Sequence, residues 1–243
     1  MRRRGWQVTA TTCAVAVAAV LTALALRPGH APPAAAHQPA AAPTSAAPVH
    51  VASTPPPAPR LDAVAPATPT AFVMAGPKFR IAAHVCPMPY VRPLDPPGEQ
   101  HHTVCWVKKD FGVAPGNPSR GTSYVLGHAW AEDPNEVLNP MSELAMRQVR
   151  LRHPHHENGV PIYPVTNLDG YTITLRTPNG RLTYRVTRAF AVSKERAADV
   201  HSVMNERTPG RIVLITCGVR DGVDVDVNVI AYATLVRAVA APA

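Results

Sequence analysis

The stretch "RIVLITCGVRDGVDVDVNVIAYA", Arg211 to Ala233, holds an apolar run, one cysteine, a very short polar gap and a second apolar run. Its later part, "DVDVNV" (Asp224–Val229), alternates polar and apolar residues, the period of a strand with one buried face. A structural cysteine is usually buried within an apolar run. Cys217 instead stands at the edge of one, beside Thr216. What such a thiol does depends on the compartment and on what the chain brings to it.

Working outward from this stretch, short β-like runs alternate with turn signals from about Phe79 onward: "FRIAAHV", "HHTVCWV", "TSYVLGHAW", "YTITLRT" and "RLTYRVTRAFAV". "TPNG" between the last two is a hairpin signal, with Asn179-Gly180 expected at the turn. Two segments, 139–152 and 193–206, have the periodicity of short helices. No repeat of 20–50 residues is present. The pattern predicts a mainly β domain, a barrel with small helical insertions, over residues 79–243.

Residues 28–78 read differently. Twelve of the 28 prolines fall between Pro28 and Pro69, among Ala, Ser, Thr and His. This composition has too few large apolar side chains to offset the entropy of ordering. It reads as a disordered linker, able to reach on the order of 150 Å if fully polyproline-like.

The chain opens with three arginines and continues uncharged from Gly5 to Leu26. Residues 1–27 are thus a signal peptide or a membrane anchor. The arginines are expected to stay cytoplasmic, which puts the rest outside. Ala23-Leu24-Ala25 is also a passable cleavage site, so anchoring and secretion both stay open. The net charge of +8 divides into +5 for residues 1–78 and +3 for the remainder. The domain is only mildly basic, and no basic run is interleaved with aromatics, which argues against a nucleic-acid partner.

Export puts Cys86, Cys105 and Cys217 in an oxidising compartment, with Cys13 in the targeting segment. An odd count leaves one thiol over. Cys86 and Cys105 are near in sequence and are the expected disulfide, worth ~3 kcal/mol by chain entropy. Cys217 is then the free thiol. Among the histidines, His128 follows an apolar run and a glycine in "YVLGHAW". A Cys–His pair from separate strands is the general arrangement for thiol acyl transfer.

Here the residues resemble a known family. "VLITCG" resembles the Thr-Leu-x-Thr-Cys signature of sortases, "YVLGHAW" their histidine segment, and "LDGYTITLRTPNGRLTYRV" the hairpin between them. The order of these motifs matches, as do the N-terminal segment and Pro-rich stalk. The Ala-rich composition fits the actinobacterial class E or F. The resemblance implies an eight-stranded β-barrel cysteine transpeptidase. Such an enzyme cleaves a C-terminal sorting signal of the Leu-Pro-x-Thr-Gly kind and transfers the acyl group to a cell-wall or pilin amine. It implies Cys217 as nucleophile, His128 as general acid/base and Thr216 in the substrate groove. It places the protein on the extracytoplasmic face of the membrane, with surface proteins and a peptidoglycan precursor or pilin as partners.

One departure stands out. The family's arginine at the start of the last strand aligns with Asp226, and Asn228 falls where the family has Asn. Arg220, in the short gap, is the expected substitute. Without an arginine, a thiol hydrolase or a non-catalytic cell-wall module with the same fold are the alternatives. No cofactor is expected. His153–His156 ("HPHH"), His101-His102 and the Asp224/Asp226 pair read as solvated surface, so no metal is assigned.

Overall fold

The structure is a computed structural model that describes residues 61–91, 95–97 and 100–242. The targeting segment and most of the linker lie outside them. The elements are β1 (Ala71–Ala75), β2 (Arg80–Pro89), β3 (Thr103–Lys109), β4 (Thr122–Leu126), α1 (Asn139–Met146), β5 (His155–Glu157) and β6 (Val160–Val165). They continue with β7 (Thr172–Thr177), β8 (Gly180–Ser193), a 3-10 helix (Lys194–Asp199), α2 (His201–Met204), β9 (Arg211–Arg220) and β10 (Val223–Ala240).

Eight strands close into a ring in the order β10-β9-β4-β3-β2-β1-β7-β8, with β8 pairing back onto β10. This is the eight-stranded barrel. The β5–β6 hairpin lies outside the ring. β6 pairs with β8 over Ala189–Val192, beyond the part of β8 (Gly180–Arg185) that β7 uses. Two pairings are parallel, β2–β3 and β4–β9, and the others are antiparallel. Among the described residues, no helix is long and apolar enough to cross a membrane.

β9 explains its own composition. Ile212 and Leu214 enter the barrel interior with Phe72, Met74, Ile173 and Leu182. Val213 and Ile215 pack on the other side with Tyr124, Leu126, Phe190 and Val203. A strand covered on both faces is apolar at every position rather than at alternate ones. β10 loses the alternation of "DVDVNV" where it enters the same sandwich: Val229, Ile230 and Ala231 are all fully buried.

The ordered domain starts earlier than Phe79. β1 lies within the stretch read as linker and alternates Phe72 and Met74 inward. Upstream, Leu61 bridges to Ala238, and Val64, 1% exposed, bridges to Asn117. Five residues of strand are too few to outweigh the surrounding prolines when composition is averaged. The "TPNG" hairpin forms with its turn one residue earlier than expected. Thr177 pairs with Gly180, so Pro178 and Asn179 form the loop. Segment 193–206 breaks into the 3-10 helix and α2, because Val200 between them is extended (φ −74°, ψ 103°).

Candidate active site

Cys217 does not end its strand, since β9 runs three residues further, to Arg220. What is special at Cys217 is the pairing with β10. Val225 pairs with Gly218, but the next pair is Asn228 with Cys217. Asp226 and Val227 form a bulge that shifts the register by two. Val227 turns in and is buried against Gly218, where any side chain would collide with it. Asp226 turns out and is exposed. The residue opposite Cys217 is therefore Asn228 and not Asp226. On the other side, the Ser142 hydroxyl of α1 donates to the Cys217 carbonyl (2.7 Å) and accepts from the Val219 N–H (2.8 Å). The backbone around the thiol is thus held from a helix as well as from the sheet.

Cys217, Thr216, Asn228 and His128 line one cleft of about 530 Å³, together with Asp95, Pro96 and Lys194. Its floor is apolar, with Val107, Tyr124, Leu126 and Ile215. Thr216 is 3% exposed, and its Oγ1 has no hydrogen-bond partner among the described residues. Next to Cys217 in β9, Thr216 points its side chain to the strand's other face, so it borders the cleft with its hydroxyl turned inward. His128 follows β4, and its Nε2–H donates to the Pro96 carbonyl (3.2 Å), with Asp95 Oδ1 at 3.7 Å. Asp95 and Pro96 belong to the β2–β3 connection. Its base is closed by a Cys86–Cys105 disulfide between directly paired residues, Cα atoms 4.4 Å apart. Cys217 is the free cysteine among the described residues.

Burial pushes the Cys217 thiol above its ordinary range. The Lys194 ammonium opposes this, while Asp224 and Asp95 add to it. The thiol therefore rests neutral at pH 7, and its thiolate fraction grows with pH. Alkylation of Cys217 by iodoacetamide, followed peptide by peptide in a mass spectrometer, is expected to speed up about tenfold per pH unit from pH 6 to 8. A rate already level below pH 7 would contradict a neutral resting thiol.

Arg220 is not in this cleft. It lies three residues after Cys217, which puts it on the opposite face of β9. Its guanidinium donates to the Met146 carbonyl through Nε (2.9 Å) and Nη2 (2.6 Å), and to the Val149 carbonyl through Nη2 (2.5 Å). It closes the open carbonyls at the end of α1, an ordinary place for a basic side chain. Arg220→Ala should leave turnover within about twofold of wild type while removing ~1–3 kcal/mol of stability, or roughly 3–10 °C of melting temperature. Measuring both on one preparation separates this structural duty from a role at the thiol.

Among the described residues, the cation that lines the cleft is Lys194, which the sequence reading missed. It is the first residue after β8, whose last residue, Ser193, pairs with Val227 next to Asn228. In the sequence Lys194 is marked only as the residue that follows the long β-like run "RLTYRVTRAFAVS".

The family model for the Sortase domain matches residues 74–236. Among solved structures, sortase A of Listeria monocytogenes is similar at 16% identity, with 74% of this chain and 92% of that chain covered and a TM-score of 0.43. Sortase E1 of Streptomyces coelicolor, solved with a tripeptide in its active site, is similar at 13% identity, with 71% and 90% covered and a TM-score of 0.43. A sortase D5 transpeptidase of Clostridium perfringens follows at 13% identity, 72% and 79% coverage and a TM-score of 0.41. No curated protein matches the chain.

Proposed function

Because the chain belongs to the sortase family, we propose that it is an exported cysteine transpeptidase. It cleaves a Leu-Pro-x-Thr-Gly-like sorting signal and passes the acyl group to a cell-wall or pilin amine. The observation that carries this reading is the shared cleft, which the free Cys217, His128, Thr216 and Asn228 line over an apolar floor. The floor suits the apolar first residues of such a peptide. On this reading residues 1–27 anchor the protein at the extracytoplasmic face of the membrane or are cleaved as a signal peptide.

In the reaction, the Cys217 thiol gives its proton to the His128 imidazole, and the resulting thiolate attacks the Thr carbonyl of the signal. The carbonyl oxygen gains negative charge. As the tetrahedral species collapses, the Thr–Gly C–N bond breaks and the His128 Nε2 proton goes to the leaving amine. This leaves a thioester on Cys217. An acceptor amine then attacks, His128 takes its proton, and the new amide releases the thiol. Asn228, opposite Cys217, and Lys194 at the rim supply the polar and positive groups at the reacting carbonyl. Before substrate enters, the Pro96 carbonyl accepts the His128 proton that the leaving amine needs. Substrate binding therefore replaces that contact.

The experiment is turnover of peptides with candidate sorting signals, read by mass spectrometry with and without an excess of amine. A ligated product that requires Cys217 is the expected result. Free carboxylate product even in excess amine identifies a thiol hydrolase instead. The outward-facing Asp226 and the distant Arg220 favour a second reading, a non-catalytic module. That reading holds if no peptide labels the thiol.

A further inference from the structure

Outside the cleft, three ligand-type side chains from two chain segments converge. His101 Nε2, a carboxylate oxygen of Asp133 and one of Glu136 all lie within 4.8 Å of one another. His101 lies at the end of the β2–β3 connection. Asp133 and Glu136 lie between His128 and α1. All three are partly buried. His101 Nε2 and Asp133 Oδ2 stand 2.6 Å apart, sharing a proton.

We propose that His101, Asp133 and Glu136 form a binding site for a divalent transition ion of the zinc class. The ligand chemistry selects the class. Calcium takes six to eight oxygens and magnesium an octahedron of oxygens, whereas an imidazole with two carboxylates suits zinc and its neighbours. The charge fits as well, since two carboxylates neutralise one divalent ion. The geometry needs little adjustment. Ligand atoms on one zinc ion, each ~2.0–2.2 Å from the metal, lie ~3–3.5 Å apart. The His101–Asp133 pair opens by less than ~1 Å as the ion replaces the shared proton, and the third ligand, within 4.8 Å, closes by at most ~2 Å.

The carriers of the ligands are already fixed to each other. The Asn135 N–H donates to Asp133 Oδ1 (3.0 Å), which leaves Oδ2 for His101. The Val137 N–H donates to the Gln100 carbonyl (3.1 Å), pinning the residue before His101 beside the residue after Glu136. Asn139 Nδ2 donates to the Asp133 carbonyl (2.7 Å) and to that of Trp130 (3.1 Å). Hydrogen-bonded outer partners of this kind orient metal ligands. Bound there, the ion staples the connection that carries Asp95 and Pro96 to the segment that leaves His128. It would hold the two sides of the His128 ring at a fixed spacing.

The test uses the full chain in mild detergent with Cys217 alkylated, so that the thiol cannot act as ligand. ZnCl2 at a hundredfold excess over its Kd should raise the melting temperature by about 5–10 °C, with CaCl2 giving a much smaller shift. CoCl2 should produce the visible absorption of a low-coordinate cobalt site. His101→Ala and Asp133→Asn should each abolish the zinc shift and the cobalt spectrum while melting without metal near the wild-type temperature. If His101→Ala does not fold, Asp133→Asn and Glu136→Gln decide the matter. A zinc shift and cobalt spectrum that survive the substitutions place the ion elsewhere, for example at His153–His156, and overturn the proposal. No binding to wild type, or an equal response to calcium, also overturns it.

Discussion

Cys217→Ala is expected to lower peptide turnover by on the order of 10⁴-fold or more, because no other group can form the thioester, and losing a nucleophile removes the whole covalent route. The fold should not notice. Cys217 is only partly buried, its backbone contacts to Ser142 and Asn228 need no side chain, and the small cavity left opens onto an existing cleft. The melting temperature and the circular dichroism spectrum should match wild type. Residual turnover within a hundredfold of wild type would mean that the reaction does not pass through this thiol.

The second large effect concerns the group that faces the reacting carbonyl. A donor aimed at a developing oxyanion typically contributes about 3 kcal/mol, a hundredfold or more in rate. Asn228, directly across the ladder from Cys217, is placed for this, and Asn228→Ala should cost roughly that factor in kcat. Lys194→Ala should act differently. Losing its charge removes what favours the thiolate, so the Cys217 pKa rises further and alkylation at pH 7 slows together with turnover. Lys194→Arg should recover much of both, since the charge is kept. Alkylation unchanged in Lys194→Ala, with turnover also unchanged, would show Lys194 to be an ordinary rim residue. Asn228→Ala should leave alkylation by iodoacetamide nearly unaffected, because that reaction builds no oxyanion. The two substitutions are thus separable by one reagent.

The β-rich barrel was legible because strand-length apolar runs and turn signals are local, whereas the joining of Cys217, Thr216 and His128 came from the resemblance of their ordered motifs to those of sortases. Apolar runs of strand length, a turn signal and a glycine before a histidine survive reading one segment at a time. What was not legible depends on register. Alternation along a single strand assumes an unbroken ladder, and the bulge at Asp226–Val227 breaks it. That break moved the residue opposite Cys217 from 226 to 228. Arg220 was misplaced for a related reason: its distance in sequence from Cys217 is small, but its parity sends it to α1. The domain start was missed because β1 is only five residues long and follows a proline-rich stretch. Lys194 could be found only once β8 was known to end beside β10.

The two-residue bulge also dictates where an arginine could be grafted. A designer aligning this chain with its relatives would change Asp226, and the new guanidinium would project into solvent, two residues along the strand from the position opposite the sulfur. Position 228 is the one that looks across at sulfur. Asp226→Arg is therefore expected to leave kcat/KM within about twofold of wild type, in line with other exposed substitutions. Deleting the two extra residues, Asp226 and Val227, would straighten the ladder and still leave Asn228 opposite Cys217. That deletion would evict Val227 from the space over Gly218 and open a void beside Met146. In this chain the place across from the sulfur is position 228, and an alignment that ignores the bulge points two residues short of it.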